Sequence, residues 1–476
     1  MSNVLNKQQD MPLTAYDELL TAESTPVMQV TAHYGLLDDV LPVNLGGTTS
    51  TANSNFICST GTGANNVSAI VTSREIQYRA GQGIRCMISA IFTQGVENSS
   101  QQAGFITSEA SFAFGYNGVD FGIVHSRGGD LENQELTLTT GAGGSESATI
   151  NIDGNPYTVP ITAGTTQHNA YEIATYLDAN VPGYNFTSVE SVVYALAQLP
   201  DFGGGAFTFT SATAVGAWFQ IKSGVLATET WINQEDWNGE SVTITPTLGN
   251  VYQIQAQYLG YGGIFFWIKD PLTSRFVLVH TLHYESTDIV PSVSNPIFRI
   301  GWAARNAGNT TDIQVKGASA GAFTEGIIHY DGRPKAICYR REGVGNAKVN
   351  ILAFRNRLTF NGEANRAEII PIQASMTSDS NRTTLFEIIE NPIVNGALVF
   401  ERYEQNSLME YSTSNVDLLL GGKVVACFTA SNKRTVDGDL MVIMESLLPG
   451  VTYSIASSNG GGGSGIDTTL IWKEDL

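Results

Sequence analysis

Hydrophobic and polar positions alternate with a period of two along much of this chain. The clearest case starts at Val251. Tyr252, Ile254, Ala256 and Tyr258 fall on one side, and Gln253, Gln255 and Gln257 on the other, as in a strand with one buried and one wet face. Gly260-Tyr261-Gly262-Gly263 then reads as a turn. The aromatic run Ile264-Phe265-Phe266-Trp267-Ile268, a turn at Asp270-Pro271 and a strand from Phe276 to Tyr284 come next. Three strands joined by tight turns form a meander, the unit of sandwiches and jelly rolls.

Between about Gly141 and Gly224 the pattern changes. Ala148 to Val159 reads as a hairpin turning at Asp153-Gly154-Asn155. Ala170, Ile173, Ala174 and Leu177 then recur at the i, i+3, i+4, i+7 spacing of an amphipathic helix. Thr166 or His168-Asn169 is placed to cap its start, and Asn180 with Pro182-Gly183 to stop it. Such a module set between two strand runs reads as an insertion at a loop tip, so excising residues 142–224 is expected to leave both flanking sandwiches folded. The small residues Ala318–Gly326 mark a second boundary. Beyond it, strands are predicted over Lys348–Phe354, Ala367–Ile372, Thr384–Ile389, Ala397–Tyr403, Val424–Ala430 and Leu440–Glu445. A closing strand over Thr468–Trp472 follows a Gly/Ser loop.

Together these elements predict an all-β chain of two antiparallel β-sandwich domains, jelly-roll or concanavalin-like, the first with a small β-α-β insertion. The expected domains are an N-terminal arm over 1–25, a discontinuous first sandwich over 26–140 plus 225–317, an inserted α+β domain over 141–224, and a C-terminal sandwich over 326–476.

Composition narrows the function. The 42% hydrophobic and 15% charged residues argue against disorder. A formal charge of −20 would be repelled by phosphate backbones, so no nucleic-acid partner is expected. The first twenty residues lack a signal peptide's apolar core, and no run reaches the ~18 apolar residues of a membrane helix. Synthesis in a cytoplasm without membrane insertion follows. Cys58, Cys86, Cys338 and Cys427 sit singly in strand-like runs and read as buried small hydrophobes, not a zinc site or a disulfide framework.

No constellation rises to a catalytic motif. His280 and His283 are three apart in a strand, which puts them on opposite faces, so no metal site is expected there. No Gly-x-Ser-x-Gly elbow is present. The 45 acidic residues allow many carboxylate pairs and single out none. No catalytic residue, cofactor or metal is predicted. The aromatic residues are the candidates for contact: Tyr258, Tyr261, Phe266 and Trp267 crowd one turn, and Trp231 and Trp237 flank another. On a sandwich rim such rings stack on sugars or form subunit contacts, and in a strand they more often pack in the core.

Several segments carry a resemblance. Thr72 to Gly83 resembles the "SxRxxxYRpGxG" segment of structural proteins from marine tailed phages and large algal viruses. Phe114 to Ile123 is similar to their "FGYNGtxFGI", and Gly249 to Pro271 to their "GNvYQIqxqwLGyGxixfxIeDp". Phe354 to Gly362 and Ile471 to Asp475 resemble "FkNkxxyNG" and the terminal "WxEd". The resemblance implies a fibre, spike, tail or capsid-surface protein displayed on the virion after synthesis in the host cytoplasm. No catalytic residues carry over. Gly81, Gly83, Gly115, Gly118, Gly260 and Gly262 are expected to be turn glycines, and Arg74 and Arg79 to pair with acids. Partners expected are other virion proteins, further copies in a homo-oligomer (a trimer, as in many fibres) and a host-surface glycan. The alternatives are a carbohydrate-binding receptor-binding adhesin and, without a motif to support it, a polysaccharide-degrading tail enzyme.

Overall fold

The computed structural model describes residues 23–78, 81–107, 109–198, 205–257, 259–326, 332–418, 421–431, 433–444, 446–459 and 463–475. The expected arm, Arg79 and Tyr258 lie wholly or almost wholly outside them. Among the described residues strands dominate, with one long α-helix, one single-turn α-helix and two short 3-10 turns. No helix is long and apolar enough to cross a membrane. The chain divides into two units, residues 1–128 with 228–329 and residues 129–227 with 330–476.

The first unit has a nine-stranded and an eight-stranded antiparallel sheet. The predicted meander is present as strands Asn250–Ala256, Ile264–Lys269 and Phe276–Leu282, paired in sequence order. Tyr252, Ile254 and Ala256 are buried as the alternation requires. So are Ile264, Phe266 and Ile268. Rings from both sheets interlock, with Phe114 and Tyr252 centroids 4.7 Å apart and Phe114 and Phe266 5.4 Å apart. Residues 318–326, expected as a flexible boundary, instead form strand Ser319–Glu325, paired to Ser24–Thr31 and Ile84–Phe92. Small side chains there serve a close-packed ladder and not a linker.

The resembling segments supply this packing, with one reinterpretation. Gly118 and Gly260 have φ of 59° and 84° and are turn residues. Gly115 is not: it sits inside strand Ser111–Asn117, and a Cβ there would lie 1.6 Å from the Gln101 carbonyl oxygen. At Gly83 the Cβ position meets only the end of the Glu325 side chain, 2.4 Å from a carboxylate oxygen, which can swing aside. The missing side chain at Gly115 sets how closely strands meet.

In the second unit the chain leaves strand Asp120–Arg127 and returns in its partner Thr228–Asn233. The intervening residues form a four-stranded sheet, Tyr184–Val189, Val192–Ala197, Asn133–Thr140 and Val215–Lys222 in spatial order. A three-stranded sheet and the helix Thr166–Asn180 complete it. The cap is Thr165, one residue earlier than expected, whose hydroxyl accepts from the His168 amide at 3.2 Å. Ala170, Ile173, Ala174 and Leu177 are buried as their spacing predicts. Residues 133–140, read from sequence as part of the first sandwich, pair with Val192–Ala197 and Val215–Lys222. A strand joins the sheet that covers its apolar side, and Leu136 and Leu138 face the helix side of the insertion.

The C-terminal part has four- and eight-stranded sheets around a core that includes Phe354, Phe386, Ile388, Ile455 and Trp472. Two expected strands differ. Residues 397–403 hold only the two-residue strand Glu401–Arg402. Leu440–Ile443 is a helical turn capped by Asp439, whose carboxylate accepts from the Met441 amide, so a local cap overrides an apolar run. Cys58 and Cys86 are buried, whereas Cys338 and Cys427 are exposed. The last two fall on the outward positions of strands Lys335–Val344 and Lys423–Ala430, each at the end of its sheet's strand order.

Gly115→Ala should destabilise the protein by about 2–3 kcal/mol or more, because the added methyl meets backbone that cannot swing aside. Gly144→Ala, with open space at its Cβ position, should be near neutral. Denaturant unfolding of the two variants checks this.

Candidate functional site

The aromatic candidates do not form one patch. Phe266 is fully buried, 5.4 Å from Phe114, and is corrected to a core residue: the period of two turns it inward. Trp237 also packs on the first unit's core, edge-on to Phe114 at 6.0 Å, with its indole N–H donating to the Ile232 carbonyl. Trp231 lies on the outermost strand of the eight-stranded sheet and donates to Glu229 at 2.8 Å. Tyr261 is in a loop, its hydroxyl donating to the Ile289 carbonyl at 3.1 Å. Trp267 lies on the nine-stranded sheet, on the face opposite Phe266, between Gln253 and Leu278.

The histidines are engaged in packing. His125 is buried against Phe112, ring centroids 4.8 Å apart. Its Nε2 is 3.0 Å from the Ser292 carbonyl, which can only accept, so Nε2 carries the proton and Nδ1 accepts from the Tyr284 hydroxyl at 2.9 Å. Burial, opposed by the Ser292 bond, pushes its pKa down to about 4. His280 is buried and its Nδ1 accepts from the Asn238 amide, while His283 is exposed beside Glu285. His280 is in strand Phe276–Leu282, and His283 lies just past its end. Among the described residues no cluster of metal-ligating groups forms.

The site with the strongest convergence of polar groups lies in the second unit. On strand Asn133–Thr140, Leu136 and Leu138 point to the insertion's own core, so Glu135 and Thr137 point the other way. The strand register sets Phe219, Glu135, Tyr194 and Thr187 in one cross-strand row on that face. The C-terminal sandwich supplies the opposite wall, mostly from the segment Phe354–Gly362. Asn361 and Gly362, with φ of 53° and 83°, form the two-residue turn of a hairpin between Thr359–Phe360 and Glu363–Ala364. This turn also fastens the insertion. The Gly362 carbonyl accepts from Asn133 at 3.1 Å, and Lys222 bridges Glu363 and Asp130. Leu358 closes an apolar cluster with Leu131 and Leu196.

Behind the wall is a buried ion pair. Arg355 Nε is 2.8 Å from Glu410, with both side chains almost fully buried, and Arg355 also donates to the Ser188 carbonyl at 2.6 Å. Its guanidinium lies 3.9 Å over the Phe400 ring. Arg357 donates to the Glu404 carbonyl at 3.1 Å, and its Nε is 3.9 Å from Glu410. Arg402 donates to the Tyr194 hydroxyl at 2.5 Å. The walls enclose a cleft of about 180 Å³. Burial raises the Glu135 pKa, an effect opposed by Arg402, and burial lowers that of Arg357 against the pull of Glu410.

Sequence reasoning missed these residues as a site. The one available signal was the segment Phe354–Gly362, noted as a resemblance. The other lining groups come from separate strands that only the tertiary fold brings together.

No protein-family model matches the chain, and no curated protein matches it. Among solved structures, the lectin UEA-II complexed with galactose is similar over 63% of this chain and 100% of that one, at 9% identity and a TM-score of 0.21. A likeness that remote carries no argument about function.

Arg355→Met should destabilise the second unit by about 3–5 kcal/mol, since it strands a buried carboxylate. Adding Glu410→Leu should recover part of that loss in denaturant unfolding. Acid should weaken the first unit through His125. Its folded pKa lies below the unfolded value near 6.5, so its contribution is present above about pH 6.5 and is lost as pH falls towards 4, up to about 3 kcal/mol. His125→Gln should show a flatter loss of stability over that window.

Proposed function

We propose that this chain is a non-enzymatic structural protein displayed on the surface of a virus particle, as a fibre, spike, tail or capsid-surface component. The observation that carries this reading is how its reactive side chains are used. His125 and His280 hold backbone groups, Cys58 and Cys86 are sealed in the core, and the Glu410 carboxylate is bound to Arg355. The segments resembling virion proteins build the cores of both units, with Phe114, Ile123, Tyr252, Phe354 and Trp472 buried. Homo-oligomeric assembly, as a trimer, and contact with other virion proteins belong to the same proposal. A formal charge of −20 favours solubility in a crowded particle.

A carbohydrate-binding adhesin is the second reading. The polar cleft of the second unit favours it, because Glu135 faces that space with no hydrogen bond or ion pair among the described residues.

Labelling purified virions with an antibody against the chain, imaged by electron microscopy, tests display. Discrete label at a vertex, tail or fibre is expected. Absence of label on particles shown by mass spectrometry to contain the chain would overturn it.

A further inference from the structure

The cleft walled by the insertion's sheet and the Asn361-Gly362 hairpin combines three features that rarely occur together by packing alone. The first is a carboxylate, Glu135, with no hydrogen bond or ion pair among the described residues and only the field of Arg402 to offset its burial. Nearby acids are satisfied: Glu410 by Arg355, Glu363 by Lys222, and Glu132 by Tyr184 and two glutamine amides. Glu135, half-buried on the cleft wall, is not. A desolvated carboxylate needs donors, and the space before it is where they would come from.

The second feature is cancelled charge. Two guanidinium groups, Arg357 and Arg402, and two carboxylates, Glu135 and Glu410, line the cleft. A cation entering the cleft meets two guanidinium groups. An anion meets Glu135 with the Glu410 carboxylate behind it. A neutral ligand whose groups both donate and accept meets neither penalty, and hydroxyls do both. Arg402 has spent one donor on the Tyr194 hydroxyl, and Asn361 adds an amide to the lining.

The third feature is size and rim. About 180 Å³ falls below the ~300–1,000 Å³ of sites for drug-sized ligands, so one ring fits and a chain does not. Phe219, the register neighbour of Glu135 on the same face, is 56% exposed. An aromatic face beside a hydrogen-bonding carboxylate suits a ring that is polar at its edge and apolar on its face.

We propose that this cleft binds a neutral sugar ring, with Glu135 accepting from its hydroxyls, Arg402 donating to them, and Phe219 lying along its apolar face. The site deepens the attachment reading and rests on it, but not on where the chain is displayed. Binding is measured on the isolated full-length chain, so its failure is separate from a failure of virion labelling.

The experiment is ligand-observed NMR and calorimetry with the methyl glycosides of glucose, galactose, mannose and N-acetylglucosamine, alongside glucuronate and glucosamine as charged probes. At least one neutral glycoside should bind more tightly than either charged probe. Its affinity should fall about tenfold or more in Glu135→Ala and in Arg402→Ala, and be unchanged in the exposed Leu272→Ser. Thermal unfolding confirms that each variant is folded. If Glu135→Ala does not fold, Glu135→Gln replaces it, keeping the shape and removing the charged acceptor. No binding by any neutral glycoside, preference for a charged probe, or unchanged binding in the folded Glu135 variant would overturn the proposal.

Discussion

A guanidinium cannot be buried without partners, and Arg355 meets that demand from two distant parts of the chain. Its carboxylate partner, Glu410, is 55 residues away in the same sandwich, and its carbonyl partner, Ser188, is 167 residues away in the insertion. Both must be in place for the charge to be tolerated, so insertion and C-terminal sandwich are tied into one unit. The apolar contacts follow the same seam. Leu358 meets Leu131 and Leu196, and Tyr171 of the helix packs on the cluster of Leu398 and Phe400. Three strands of the insertion's sheet are thereby largely covered on both faces, by its own helix side and by the sandwich, while Val215–Lys222 has no buried residue.

Double coverage has a chemical consequence. A strand with one wet face can place any polar residue there, but a strand covered on both sides must find each polar group a partner or a space. Tyr194 found Arg402, and Asn133 found the Gly362 carbonyl. Glu135 faces the remaining space. The cleft is therefore where the packing of two domains leaves hydrogen-bonding capacity unused, and this is why it is a better binding candidate than the scattered aromatic residues of the first unit.

The first unit is organised differently. It is a double-sheet core of interlocked rings, within which His125 is satisfied at both ring nitrogens by Ser292 and Tyr284. Gly115 keeps the strands close enough for that ring packing.

Local pattern was enough to determine the class of fold, the meander at Asn250–Leu282 and the helix at Thr166–Asn180, because period and turn chemistry act over a few residues. The Asn361-Gly362 turn was not read from the sequence, although an Asn-Gly dipeptide favours one. Sheet membership was not legible: alternation says that residues 133–140 form a strand, but not which neighbours cover it. Nor does alternation say whether Phe266 or Trp267 faces solvent, since both faces of that strand carry aromatics. The cleft lay furthest out of reach. Its groups are spread from Glu135 to Glu410, and their meeting depends on how one domain's outer sheet face docks on another's loops. That is a property of tertiary packing, which no spacing along the chain encodes.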